Sequence, residues 1–112
     1  MYLRPDEVIK VLEKVGFECV SILPKAQEFR RDEHYVYVNR EGKMGRTALI
    51  IHPELAERSK HFAEPAELDK HCEDYLAFPK MEGNPRQYRH GIAYGFCSRL
   101  SLERFLFSVY GM

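Results

Sequence analysis

Apolar residues recur along this chain with two periods, and the change from one to the other divides it into elements. Val8, Val11, Leu12 and Val15 fall at i, i+3, i+4, i+7 spacing, which predicts a helix over roughly residues 5–15. Pro5 suits its first turn, Asp6 and Glu7 favour the positive end of the helix dipole, and Gly16 is placed to cap it. Phe17 to Leu23, with Val20, Ile22 and Leu23 before Pro24, reads as a strand, and Gln27 to Arg31 as a short polar one. After the turn Arg31-Asp32-Glu33, residues 34–53 carry two strand-forming runs around a basic, glycine-containing turn. In the first run Tyr35, Val36, Tyr37 and Val38 alternate, so valines and tyrosines are expected on opposite sheet faces, one of them core and the other covered or wet. The second run, Thr47 to Ile51, is apolar on both faces, as in a central strand.

Pro53 ends that strand, and Pro53 to Phe62 is expected to form a short helix with Leu55 and Phe62 on one face. Residues 64–90 break the pattern: Pro65, Pro79, Pro85 and the turn signal Gly83-Asn84-Pro85 leave only a weak helix around 66–76, and the stretch reads as a functional loop or a flap over the sheet. Tyr88 to Cys97 resumes as a strand, and Ser98 caps a closing helix over about 99–110. This order implies a single α+β domain over residues 1–112, two layers with an antiparallel sheet of about five strands and helices mainly on one face. The closing helix buries Leu102, Phe105, Leu106 and Val109, yet Leu100, Phe107 and Tyr110 widen its apolar arc beyond one contact surface. Either residues 64–90 fold over the surplus, or these three side chains meet a protein partner, with a homodimer as the expectation.

Composition narrows the class. Hydrophobic residues make up 45% and charged residues 30% of the 112, too apolar for disorder and too interrupted for a membrane span. The start, MYLRPDEVIK, lacks the apolar stretch of a signal peptide, and Cys19, Cys72 and Cys97 are widely spaced. A cytoplasmic location with reduced thiols is expected, without membrane attachment. Seventeen basic residues balance seventeen acidic ones, so only a local patch can attract nucleic acid. Arg40, Lys43 and Arg46, with Arg30 and Arg31 nearby and a tyrosine ring beside them, form the candidate. Glu28, Asp32, Glu33 and Glu41 interleave with them and cancel much of the field.

Reaction chemistry is thinly represented. Gly42 to Thr47 lacks the GxxxxGK[ST] spacing of a phosphate-binding loop and runs into a strand. His34, His52, His61, His71 and His90 show no HxxxH or CxxH spacing, and Glu57 with His61 supplies at most two ligands from one helical turn. Cys72 with His71 or His90 is the one nucleophile-and-base arrangement. His52, Arg58 and Arg99 can form an anion site at a sheet end, though both arginines have carboxylates in reach. No cofactor, metal or enzymatic activity is expected from these patterns.

The segments MYLRPDEV, VLEKVGF, HYVYVNRE, MGRTALIIHPEL, LAEPA and GFCSRLSLERFL together resemble the YgaC-like family of small bacterial cytoplasmic proteins across nearly the whole chain. The resemblance implies a fold similar to the N-terminal domain of the competence regulator TfoX and to type III secretion chaperones. It carries no catalytic residues, the family being functionally uncharacterised. The leading expectation is therefore a non-enzymatic cytoplasmic binding or regulatory module acting through protein–protein contacts at Leu100, Phe107 and Tyr110. The alternative is a nucleic-acid-associated regulatory domain using Arg40, Lys43 and Arg46.

Overall fold

In the computed structural model, which describes residues 1–40, 45–83 and 86–112, the helical spacing at the start becomes α1 (Pro5–Lys14). The Arg4 N–H donates to the Glu7 carboxylate at 3.3 Å, satisfying one of the donors that a helix start exposes. Gly16 takes φ +98°, a left-handed conformation that turns the chain out of the helix at little steric cost. Strands β1 (Glu18–Ile22), β2 (Ala26–Arg31) and β3 (His34–Asn39) follow as an antiparallel meander. A 3₁₀ turn at Gly45–Thr47 leads to β4 (Leu49–Ile51), and a second at Pro53–Leu55 to α2 (Ala56–Lys60). Then come β5 (Glu67–Cys72), β6 (Arg89–Tyr94) and α3 (Arg99–Tyr110), whose N-cap Ser98 accepts from the Ser101 N–H at 3.1 Å.

The sheet order is β1-β2-β3-β4-β6-β5, antiparallel at each pairing. It has six strands, the addition being β5, in the segment where the sequence predicts a weak helix. Glu67–Cys72 has little intrinsic preference for a strand, but the free edge of β6 supplies hydrogen-bond partners and tertiary context outweighs propensity. Its register shifts between Glu67 and Lys70, and that of β1 between Cys19 and Ser21, so both outer strands are irregular. Such bulges discourage pairing with another chain.

Alternation along the strands divides the interior in two. Phe29, Val36, Val38, Leu49, Ile51, Ile92 and Tyr94 face α1 and α3, meeting Val8, Val11 and Leu12 from one helix and Leu102, Phe105, Leu106 and Val109 from the other. Tyr37, Ile50 and Ala93 point to the opposite face, where Ala26 also lies and where Cys72, Tyr75 and Phe78 close over them. Residues 73–79 thus form a strap across this second face and leave Leu100 and Phe107 of α3 exposed. The reading of residues 64–90 as a flap over the sheet therefore holds, whereas the alternative that they shield the surplus of the closing helix does not.

Four hydrogen bonds pin the strap. The Lys25 N–H donates to the Asp74 carboxylate at 2.8 Å, the Ala77 N–H to the Tyr37 hydroxyl at 2.8 Å, and Arg89 to the carbonyls of Leu76 and Phe78 at 2.6 and 3.0 Å. Tyr37 in turn donates to the buried Glu28 carboxylate. Beneath the strap Gly91 permits the close approach: a Cβ there would stand 2.6 Å from Ile50 Cγ2, 2.8 Å from the Ile51 carbonyl oxygen and 3.0 Å from Phe78.

Candidate interaction face

α3 shows its apolar surplus to solvent. Leu100 is 56% and Phe107 40% exposed, and seven residues of α-helix return them to nearly the same face. Tyr110 does not stand with them. Its ring packs edge-on against Phe17 at 5.8 Å and leans on His34 at 4.9 Å, and its hydroxyl is buried without a hydrogen-bond partner among the described residues. It lies some 80° round the helix from Leu100, toward the seam with α1.

Two side chains missed by sequence reasoning extend the face. Phe62 is 50% and Leu68 59% exposed. Phe62 and Leu100 line one shallow groove, together with Ser101, Arg104, Phe105 and Ser108, while Phe62 and Leu68 line the next. The predicted pairing of Leu55 with Phe62 assumes one continuous helix. The observed 3₁₀ turn at Pro53–Leu55 and the end of α2 at Lys60 change the phase, so Leu55 packs on the core while Phe62 turns outward. An apolar residue just past a helix stop was the available signal.

The charged groups of this face are Arg104, Lys60 and Glu64. Lys60 is 3.7 Å from Glu57. Arg104 and Glu64 make no ion pair among the described residues. Among the described residues the face therefore carries one cation and one anion without an ion-pair partner.

The basic turn is less concentrated than its sequence suggests. Arg40 donates to the Leu23 carbonyl at 2.6 Å and Arg46 to the Ala66 carbonyl at 3.1 Å, while Arg31 donates to the Met112 sulfur. Lys43, with Glu41, Gly42 and Met44, lies outside the described residues.

The proposed anion site at Arg58 and Arg99 is not assembled. Arg58 caps the C-terminal end of α3 through the carbonyls of Val109 and Ser108 at 2.7 and 2.8 Å, whereas Arg99, at the other end of that helix, faces Glu7 at 3.8 Å. Cys72 is buried under the strap, and His71, its neighbour along the strand, projects to the other face, as alternation requires. His71 Nε2 and His90 Nδ1 instead approach the two Asp69 oxygens at 3.0 and 3.1 Å. The hydrogen bond from His71, with the nearby charges of His71 and His90, holds the Asp69 carboxyl below its ordinary range. Among the described residues no group of three or more His, Cys, Asp or Glu is arranged to hold a metal ion, and no helix is long and apolar enough to cross a membrane.

Buried phenols give the molecule an alkaline limit. Burial raises Tyr110, and burial reinforced by the Glu28 carboxylate raises Tyr37 against the opposing hydrogen bond from Ala77. Burial also raises Tyr94, against its hydrogen bond with Ser59. Above the unfolded tyrosine value of about 10, an unfolded chain releases protons that the folded one keeps, so stability falls as pH rises. Below about pH 10 these groups contribute no pH dependence. In an absorbance titration of the native protein, these three of the seven tyrosines are expected to stay silent until unfolding. Ionisation of all seven near pH 10 with the fold intact would contradict that.

Comparison with known proteins places the chain. Residues 1–110 match the family described as Protein of unknown function (DUF2002). The proteins named "Uncharacterized protein YgaC" from Escherichia coli O157:H7 and from Shigella flexneri are each 55% identical to it over 111 residues, covering 99% of this chain and 97% of theirs. The chain thus belongs to the YgaC-like family, the proteins of unknown function grouped as DUF2002.

Proposed function

We propose that this protein is a non-enzymatic binding module that acts through protein–protein contact at the face built by Phe62, Leu68, Leu100 and Phe107, and that a second copy of the chain occupies this face. The observation carrying the reading is four large apolar side chains, each 40–59% exposed, on grooves that share Phe62 and on the adjoining crest of α3. Scattered single apolar residues need no explanation, but a group on neighbouring elements does.

Charge supports a second copy as the occupant. A two-fold interface sets the same patch against itself, so each cation needs an anion on the same patch. Arg104 and Glu64 meet that requirement, and neither has an ion-pair partner among the described residues.

Sedimentation equilibrium decides the matter. The wild type is expected at twice the 13.2 kDa chain mass, and the double variant Phe62→Asp, Leu100→Asp at the single mass. Because both sites are exposed, its unfolding free energy is expected within about 0.5 kcal/mol per site of the monomer's own value. A wild type that stays monomeric at all micromolar concentrations overturns the reading. Lysate capture that retains nucleic acid, and loses it on changing Arg40 and Arg46 to Ser, favours the basic-turn alternative instead.

A further inference from the structure

On a different side of the molecule, at one end of the sheet, a cavity of about 340 Å³ opens where β3 begins, β4 has just ended and the last turn of α3 crosses over. His34 and Tyr35 come from β3, His52 and Glu54 from the chain after β4, Glu33 from the turn before β3 and Tyr110 from α3; Leu55 and Ala77 complete the wall. Its size lies within the range of small-molecule sites.

One feature of the wall is chemically incomplete. Tyr110 lines the cavity, and its hydroxyl is buried with no hydrogen-bond partner among the described residues. A buried hydroxyl in that condition is costly, and each such group calls for a reason. The His34 ring leaning on Tyr110 belongs to an exposed residue, and a ligand in the cavity reaches the hydroxyl only if that ring turns aside.

The remaining groups select the ligand's charge. Two carboxylates, Glu33 and Glu54, belong to the lining, and no lysine or arginine does. His52 Nδ1 accepts the Glu54 N–H at 3.0 Å and stands 4.0 Å from the Glu54 carboxylate. The aromatic rings of Tyr35 and Tyr110 also belong to the lining, and such rings favour cations over anions. The Tyr110 oxygen can accept a hydrogen bond, so the best-matched ligand carries both positive charge and N–H donors. We propose that this cavity binds a small primary ammonium compound, with the ammonium hydrogen-bonded to Tyr110 and its charge balanced by Glu33 and Glu54.

Nuclear magnetic resonance titration with n-butylammonium chloride, n-butanol and tetramethylammonium chloride tests the assignment. Butylammonium is expected to shift Tyr110, His34 and His52 signals saturably. Butanol, equal in length but neutral, and tetramethylammonium, charged but without N–H, are each expected to bind at least about tenfold more weakly, the difference one charge-assisted hydrogen bond makes. Tyr110→Phe is expected to weaken butylammonium binding by about the same factor while raising the melting temperature, because it removes the unsatisfied hydroxyl. That opposite pair of changes separates a ligand group from a structural one. Absence of saturable shifts at tens of millimolar butylammonium, equal affinity for butanol, unchanged affinity in Tyr110→Phe, or a lowered melting temperature in that variant overturns the proposal.

Discussion

Phe105→Ala is expected to lower the unfolding free energy by about 3–5 kcal/mol. Phe105 is only 2% exposed, and its ring lies 4.7 Å from that of Tyr94 and 4.9 Å from that of Phe96. Removing it takes the central contact of α3 from two aromatic rings and leaves a void that neighbours held by their own bonds cannot fill. Tyr94 is such a neighbour, since its hydroxyl donates to the buried Ser59 at 2.7 Å. Against a total of about 5–15 kcal/mol for an ordinary domain, the loss is a large fraction. The same helix supplies a control two residues away: Phe107→Ala is expected to cost less than about 1 kcal/mol in the monomer, being half in water already. Urea unfolding of both variants under monomeric conditions measures the contrast. Comparable losses at the two sites would mean that α3 is rotated from the setting described.

Tyr37→Phe is expected to cost about 3 kcal/mol, more than deletion of one hydroxyl ordinarily does. The phenol oxygen serves two groups at once, donating to the buried Glu28 carboxylate and accepting the Ala77 N–H at 2.8 Å. Phenylalanine keeps the ring contacts with Tyr75 at 5.2 Å and Phe78 at 4.9 Å. The loss therefore reports stranded polar groups, a buried carboxylate being the expensive one. A double-mutant cycle with Glu28→Gln apportions it: the second change should be markedly cheaper once the first is made. Amide exchange adds a local reading, with Ala77 expected to lose protection before the β2–β3 ladder does. A cost below about 1 kcal/mol, or Ala77 protection equal to that of the wild type, would remove the hydroxyl from its place as anchor of the strap.

Local signals were read reliably here, and distant ones were not. Pro5, the Val8 to Val15 spacing and Gly16 sufficed for α1, and Ser98 for the start of α3, because caps and periodicity act within one turn. The Tyr-Val alternation of β3 correctly implied two different faces, with Val36 and Val38 toward the helices and Tyr37 toward something else. A flap over the sheet was one of two readings of residues 64–90, but which of its side chains cover Tyr37 was not legible, since Tyr75 and Phe78 sit in a segment without periodicity that reaches the sheet only through long-range contacts. β5 was missed for the same reason, its strand character being imposed by the edge of β6. Leu100 and Phe107 were recognisable as surplus apolar residues. Tyr110 looked the same in sequence, and only its packing on Phe17 and His34 separates it from them. The ammonium cavity draws on residues 33–35, 52–55, 77 and 110, a convergence that no local spacing announces.

The strand order also sets a timetable for synthesis. β6, lying between β4 and β5, comes from residues 89–94, close to the end of the chain. At roughly 5–20 residues per second, a ribosome that has finished Leu49–Ile51 needs a few seconds more to supply the strand that pairs with it. Until then β4, whose three residues are all buried in the finished fold, lacks both the β6 edge it pairs with and the α3 residues that pack on it. A translational pause anywhere between residues 52 and 88 is expected to lengthen that interval, in which β4 has one sheet edge unpaired.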